Sequence, residues 1–147
     1  MHQGSCQCGE SCYEFSGEPL TCYACHCTDC QTSTGSAFTL SMIVNEDDIR
    51  LSKGTLSKNS ISINGTEVQR HHCPKCGIAF WYSAKEFPGI LALKPGTFDD
   101  TSWFKPIAHL WVRSAQPWVI FDEKTIKYEK QPEMSDLFEL WSKQRNA

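Results

Sequence analysis

Short β-rich runs of apolar positions, some alternating with polar ones, dominate this 147-residue chain. Ala37–Val44 (AFTLSMIV) reads as a strand, and so does Ser60–Ile63 (SISI). The latter runs into Asn64-Gly65 and then Thr66–His72 (TEVQRHH), which together predict a hairpin, because Asn-Gly suits a type I′ turn. Ile78–Tyr82, Ile90–Leu93 and His109–Arg113 continue the strand pattern, punctuated by Pro88-Gly89, Pro95-Gly96, Pro106 and Pro117. One helical period appears near the end. Met134, Leu137, Phe138 and Trp141 form a single apolar stripe, predicting a helix over about 133–145 that packs on the sheets. Pro132 precedes it, and Ser135 or Asp136 is placed to cap its first amides. Many short strands and little helix predict a mainly β fold.

Composition changes this picture little. The length suits one domain spanning residues 1–147, burying roughly 68–70% of its unfolded surface. A net charge of −3 lacks the clustered Lys and Arg of a nucleic-acid or anionic-membrane binder. The segment Met1–Cys6 carries no basic stretch followed by an apolar run, and no stretch approaches the length of a membrane span. A cytoplasmic protein with no membrane or nucleic-acid partner is therefore expected. In a reducing compartment nine cysteines, an odd number, favour metal binding over a disulfide framework.

Seven of the nine fall into three clusters: Cys6-x-Cys8, Cys25-x-Cys27-x-x-Cys30 and Cys73-x-x-Cys76. Cys73-Pro74-Lys75-Cys76-Gly77 has the pattern of a zinc knuckle, with Gly77 free to take a positive φ just past the second sulfur. A knuckle supplies two ligands. Cys6 and Cys8 are the best partner pair, since in an extended strand they point to one face. Such a zinc would clasp the N-terminus to the middle of the chain and contribute directly to folding. The middle cluster has two readings. Cys22, Cys25, Cys27 and Cys30 make a closed structural site, or Cys25, Cys27 and Cys30 make an open one, as catalytic zinc requires. Spacing does not separate them. An open three-thiolate zinc would deprotonate an entering thiol and present it to an aldehyde carbon, without any protein nucleophile.

The strings Gly4–Gly9 (GSCQCG), Cys25–Cys30 (CHCTDC), Gly35-Ser36 and Arg70–Gly77 (RHHCPKCG) resemble the glutathione-dependent formaldehyde-activating enzyme family, which includes the centromere protein V-like proteins. The likeness continues through Gly96–Asp100, Pro106, His109 and Gln116–Trp118. It implies compact antiparallel sheets around zinc, of the β-tent kind. It implies two zinc ions per chain, a structural one on Cys6, Cys8, Cys73 and Cys76 and a catalytic one on Cys25, Cys27 and Cys30. The implied activity is that of a carbon–sulfur lyase run in reverse, forming S-hydroxymethylglutathione from glutathione and formaldehyde. Cys12 and Cys22 stand outside that motif. Two other functions compete: a non-catalytic zinc-scaffolded binding module, which a basic tail or patch would favour, and a thiol-based metal or redox protein using Cys22–Cys30.

Asp99-Asp100 reads as a turn with solvated acids. His26 is a third possible ligand, through nitrogen, but between two sulfur ligands it is expected as a nearby polar group; His109 is a candidate for orienting a substrate and is expected as a satisfied core histidine. His71 and His72 are unnecessary beside four thiolates. Arg70 and Arg113 read as surface ion pairs, with bidentate contacts to glutathione carboxylates as the alternative, and Trp81, Trp103, Trp111 and Trp118 mainly as core, with a pocket wall as the alternative.

Overall fold

The alternating runs become strands in the computed structural model, which describes residues 1–147. In chain order the elements are β1 (His2–Ser5), β2 (Cys12–Phe15), β3 (Thr21–Cys25), α1 (Thr28–Thr34), β4 (Thr39–Asn45), β5 (Ile49–Lys53), β6 (Ser57–Ile63), β7 (Thr66–His72), β8 (Ala79–Ser83), β9 (Ile90–Leu93), β10 (Ala108–Leu110), β11 (Ile126–Lys127) and α2 (Met134–Arg145). They build a three-stranded sheet, β1-β2-β5, and an eight-stranded sheet, β11-β10-β3-β4-β9-β8-β7-β6. The fold is mainly β with a C-terminal helix, as expected. Pairing is antiparallel except at one edge, where β10 runs parallel to β3 and β11.

The β6–β7 hairpin closes as predicted, with Asn64 at φ 51° and Gly65 at φ 82°, the two left-handed positions of a type I′ turn. Register then decides which side chains share a face. Cys22, Met42, Leu93 and Trp81 form one cross-strand row. That row packs with Tyr13, Phe15 and Phe80 into a core between the two sheets. The next positions along the same strands, Tyr23 and Ile43, face a second core with Leu110 and the fully buried Leu137 of α2. Strand β3 is thus buried on both sides, which is why it shows no alternation.

Several expectations need correction. The predicted strand His109–Arg113 stops at Leu110, because Trp111 adopts φ 59°, a conformation that ends pairing, and a 3-10 turn follows. The cap of α2 is Glu133 without a side-chain hydrogen bond, and Ser135 and Asp136 lie inside the helix. Cys6 and Cys8 sit past the end of β1, in the turn leading to β2, so strand geometry does not align them. Trp118 is 69% exposed and is not core. Arg70 and Arg113 make no ion pair; Arg70 Nη2 instead donates to the carbonyl oxygen of Gly77 at 2.9 Å.

Candidate metal centre

Two facing turns build the first sulfur cluster. In one, Gly9 N–H donates to Cys6 O at 3.1 Å, and in the other Gly77 N–H donates to Cys73 O at 2.9 Å, with Gly77 at φ 80°. The Cys6–Cys8 and Cys8–Cys73 sulfurs lie 3.6 and 3.7 Å apart, and all four, including Cys76, fall within 4.8 Å of one another. Four thiolates on zinc at about 2.3 Å would sit about 3.8 Å apart, so the donor set fits a tetrahedral ion. Backbone amides support the charged form. Ser11 N–H lies 3.4 Å from Cys6 Sγ and Cys76 N–H 3.5 Å from Cys73 Sγ. The Cys76 amide, with other backbone donors, draws the Cys73 thiol down to about 6.

The second cluster gathers Cys25 from the end of β3, Cys27 from the cap of α1 and Cys30 from its first turn, all buried. Their sulfurs also lie within 4.8 Å of one another. Cys27 Sγ accepts the Cys30 N–H at 3.2 Å, which starts a helix whose polar sequence shows no apolar stripe. The Cys25 and Cys30 side chains hydrogen-bond with that of Cys27. They pull its pKa far down, and their own rise in return. This soft three-sulfur set is able to hold a metal ion and leaves a tetrahedral position free. Register places Cys22 apart from the other three sulfurs. Cys22 pairs with Met42 on the opposite face of β3 and belongs to the other core, where burial pushes its thiol up to about 12. Cys12 is half-buried and outside both clusters.

The loop carrying Cys25–Cys27 is braced from behind. His26 is completely buried, and its Nε2 lies 2.9 Å from His109 Nδ1. Its carbonyl oxygen accepts from Gln31 Nε2 and Ser114 Oγ, both at 2.9 Å. His26 Nδ1 has no partner. A neutral imidazole carries one N–H, so the cheapest tautomer puts it on Nε2 and leaves only a lone pair unanswered at Nδ1. His71 and His72 stay outside the sulfur clusters; His71 Nε2 meets Ser83 Oγ at 2.8 Å. Asp99 and Asp100 are exposed turn acids that accept from Ser5 and Ser102.

The three-sulfur cluster opens onto a cavity of about 640 Å³ between the eight-stranded sheet and the start of α2. Cys25 and Cys30 line one end, and Ile43, Val68, Ile90, Trp111 and Met134 supply an apolar wall. That volume suits a drug-sized ligand. Trp111 reaches this wall through its left-handed backbone, and its Nε1 donates to Gln131 Oε1 at 3.3 Å. The same cavity holds Lys94, to which no local sequence pattern points, because only the pairing of β4 with β9 brings it there. Thr39 and Ser41, its neighbours, were missed for the same reason, since only strand register puts them beside the sulfurs.

Comparison with known proteins identifies this framework. The model of the family described as "Glutathione-dependent formaldehyde-activating enzyme" matches residues 1–114. The chain belongs to that family. All seven clustered cysteines, Lys94 and His109 lie inside the span matched to the formaldehyde-activating family, whereas α2, whose first residues line the cavity, lies beyond it. A crystal structure of a Rhodobacter sphaeroides protein, a structural-genomics target, has a similar fold. It shows a TM-score of 0.52 and 19% identity, over 66% of this chain and 87% of that one. No helix of the protein is long and apolar enough to cross a membrane.

Proposed function

We propose that this protein is a zinc-dependent carbon–sulfur lyase of the formaldehyde-activating type, joining a glutathione-like thiol to a small aldehyde. One observation carries the reading: the two sulfur clusters are unequal, four gathered around one point and three, of which Cys25 and Cys30 line a cavity. Cys6, Cys8, Cys73 and Cys76 would hold a structural zinc. Cys25, Cys27 and Cys30 would hold a second zinc, which supplies a soft positive centre with one position for a substrate sulfur.

The chain's own residues then orient and enclose the reactants. Cys25 and Cys30 line the cavity, so a substrate sulfur would reach this set from there. The His26–His109 contact and the Gln31 and Ser114 hydrogen bonds keep the ligand loop from collapsing into that space. The apolar wall lowers water content around the reacting atoms, which strengthens each polar contact there. In the joining direction the sulfur lone pair forms a bond to the carbonyl carbon. The carbonyl π pair moves to oxygen, and that oxygen gains the proton the thiol released. The lyase direction reverses each change. No disulfide joins any of the nine cysteines, a state that a cytoplasmic setting would maintain.

The test is zinc stoichiometry measured with and without glutathione, alongside exchange-rate measurements on a glutathione–formaldehyde mixture. Two zinc ions per chain, one perturbed by thiol, with accelerated adduct formation, support the reading. Two zinc ions indifferent to thiol, with no acceleration, would make the protein a scaffold.

A further inference from the structure

The eight-stranded sheet turns one cation towards the open sulfur cluster. Lys94 directly follows β9 and lies opposite Ser41 of β4, one position past the Met42–Leu93 pair. Its Nζ donates to Ser41 Oγ at 3.1 Å and Thr39 Oγ1 at 3.3 Å, and stands 4.1 Å from the centroid of the Tyr82 ring. Thr39 is the cross-strand partner of Cys25, and side chains so paired stand about 5 Å apart. Lys94, Thr39, Cys25 and Cys30 thus line one cavity. No carboxylate pairs with it, because the protein's ion pairs involve Arg50, Lys75, Lys143 and Arg145 only. The one acid on the cavity wall, Glu133, is exposed at the start of α2. Hydroxyls and a ring face hold Nζ in place without neutralising it. A half-buried cation held this way faces a cavity in which negative charge is expected to develop.

We propose that Lys94 is a further catalytic residue, whose ammonium hydrogen-bonds the aldehyde oxygen and protonates it as the sulfur–carbon bond forms. This rests on the reading of the three-sulfur cluster as a thiol–aldehyde centre. The step balances. The sulfur pair becomes the new bond to carbon, the carbonyl π pair moves to oxygen, and the Nζ–H proton passes to that oxygen. The resulting amine recovers the proton that the thiol gave up on entry, so nothing is oxidised or reduced. In the lyase direction the neutral amine takes the hydroxyl proton as the sulfur–carbon bond breaks. Burial lowers the Lys94 pKa to about 8, while the charges of Cys30, Cys25 and Cys27 act to raise it. A group near neutrality can both give and accept a proton.

The competing role is a fixed counter-charge that helps the thiolates retain metal. Lys94→Met and Lys94→Arg separate the two. The readouts are zinc content, glutathione affinity by calorimetry, and kcat and KM with glutathione and formaldehyde. Lys94→Met is expected to keep the parent zinc content and to bind glutathione within about twofold of the parent, while kcat falls about 100-fold. Lys94→Arg keeps a donor but cannot release its proton, so it recovers only part of that loss. Unchanged kcat in Lys94→Met overturns the assignment. Loss of one zinc together with activity also overturns it, in favour of the counter-charge. A parent protein that accelerates no thiol–aldehyde reaction overturns the underlying reading and this one with it.

Discussion

His26 Nε2 lies 2.9 Å from His109 Nδ1, joining the loop between two clustered cysteines to strand β10, which runs parallel to β3. Phe38 and Phe121 pack against the His26 ring. Burial, then the neighbouring His109, lowers the His26 pKa to about 4. The folded-state value lies below the ordinary 6.5. The unfolded chain therefore binds more protons between those two values, and stability falls as pH drops from 6.5 towards 4. The loss is expected to reach on the order of 2–3 kcal/mol at the acid end. Parallel urea titrations of the parent and His26→Gln at pH 7 and pH 5 would measure it. Both proteins carry the same thiolates, so a parent that loses no more stability than the variant would contradict the assignment.

Cys27→Ser separates metal binding from helix initiation. Serine is a preferred N-cap, so it can still accept the Cys30 N–H that Cys27 Sγ accepts at 3.2 Å. The expected variant folds with an unchanged circular dichroism spectrum, carries one zinc fewer, and has lost turnover. Full turnover in this variant would remove Cys27 from the site.

Cys73→Ser acts on the other cluster and on the whole fold. Cys73 is completely buried and belongs to the core between the sheets. Its turn faces the Cys6–Cys8 turn across 65 residues of chain. Metal binding at such a clasp is folding free energy, so the variant is expected to express poorly and melt well below the parent. Strong chelators should unfold the parent in the same way. A Cys73→Ser protein with parent-like Tm would show that the clasp contributes little.

Gly4→Ala tests the approach to that clasp. A Cβ at Gly4 would come 2.4 Å from two ring carbons of Tyr13. Tyr13 is completely buried, packs against Phe80, Trp81 and Phe98, and its hydroxyl contacts Thr97 Oγ1 at 2.8 Å. The ring has little room to retreat, so the substitution should cost about 1–3 kcal/mol. Thermal melts of the zinc-loaded proteins give the comparison, and an unchanged Tm would mean that β1 shifts freely.

Legibility followed burial pattern. Strands β4 and β6 to β9 were readable because alternation or β-rich runs bounded by Gly and Pro marked them, and α2 because its apolar stripe repeats at helical spacing. Strand β3 was not, since burial on both faces erases alternation. Strands β1 and β2 are four residues each and carry no long pattern. Helix α1 is polar throughout except for Cys30, and its start depends on a thiol acting as cap.

By itself the sequence determined the seven clustered sulfurs, the Asn64-Gly65 hairpin, the apolar stripe of α2 and the likeness to the formaldehyde-activating family. These rest on residue type and local spacing, which a chain carries with it before folding. Tertiary structure decided that Cys22 faces Met42 and not the other sulfurs, that Trp111 turns into the cavity wall, and that Lys94 stands beside Thr39 and Ser41 near Cys25. A strand sends alternate side chains to opposite faces. Which face meets which neighbour is set by pairing between segments far apart in the chain, and local spacing does not contain that register.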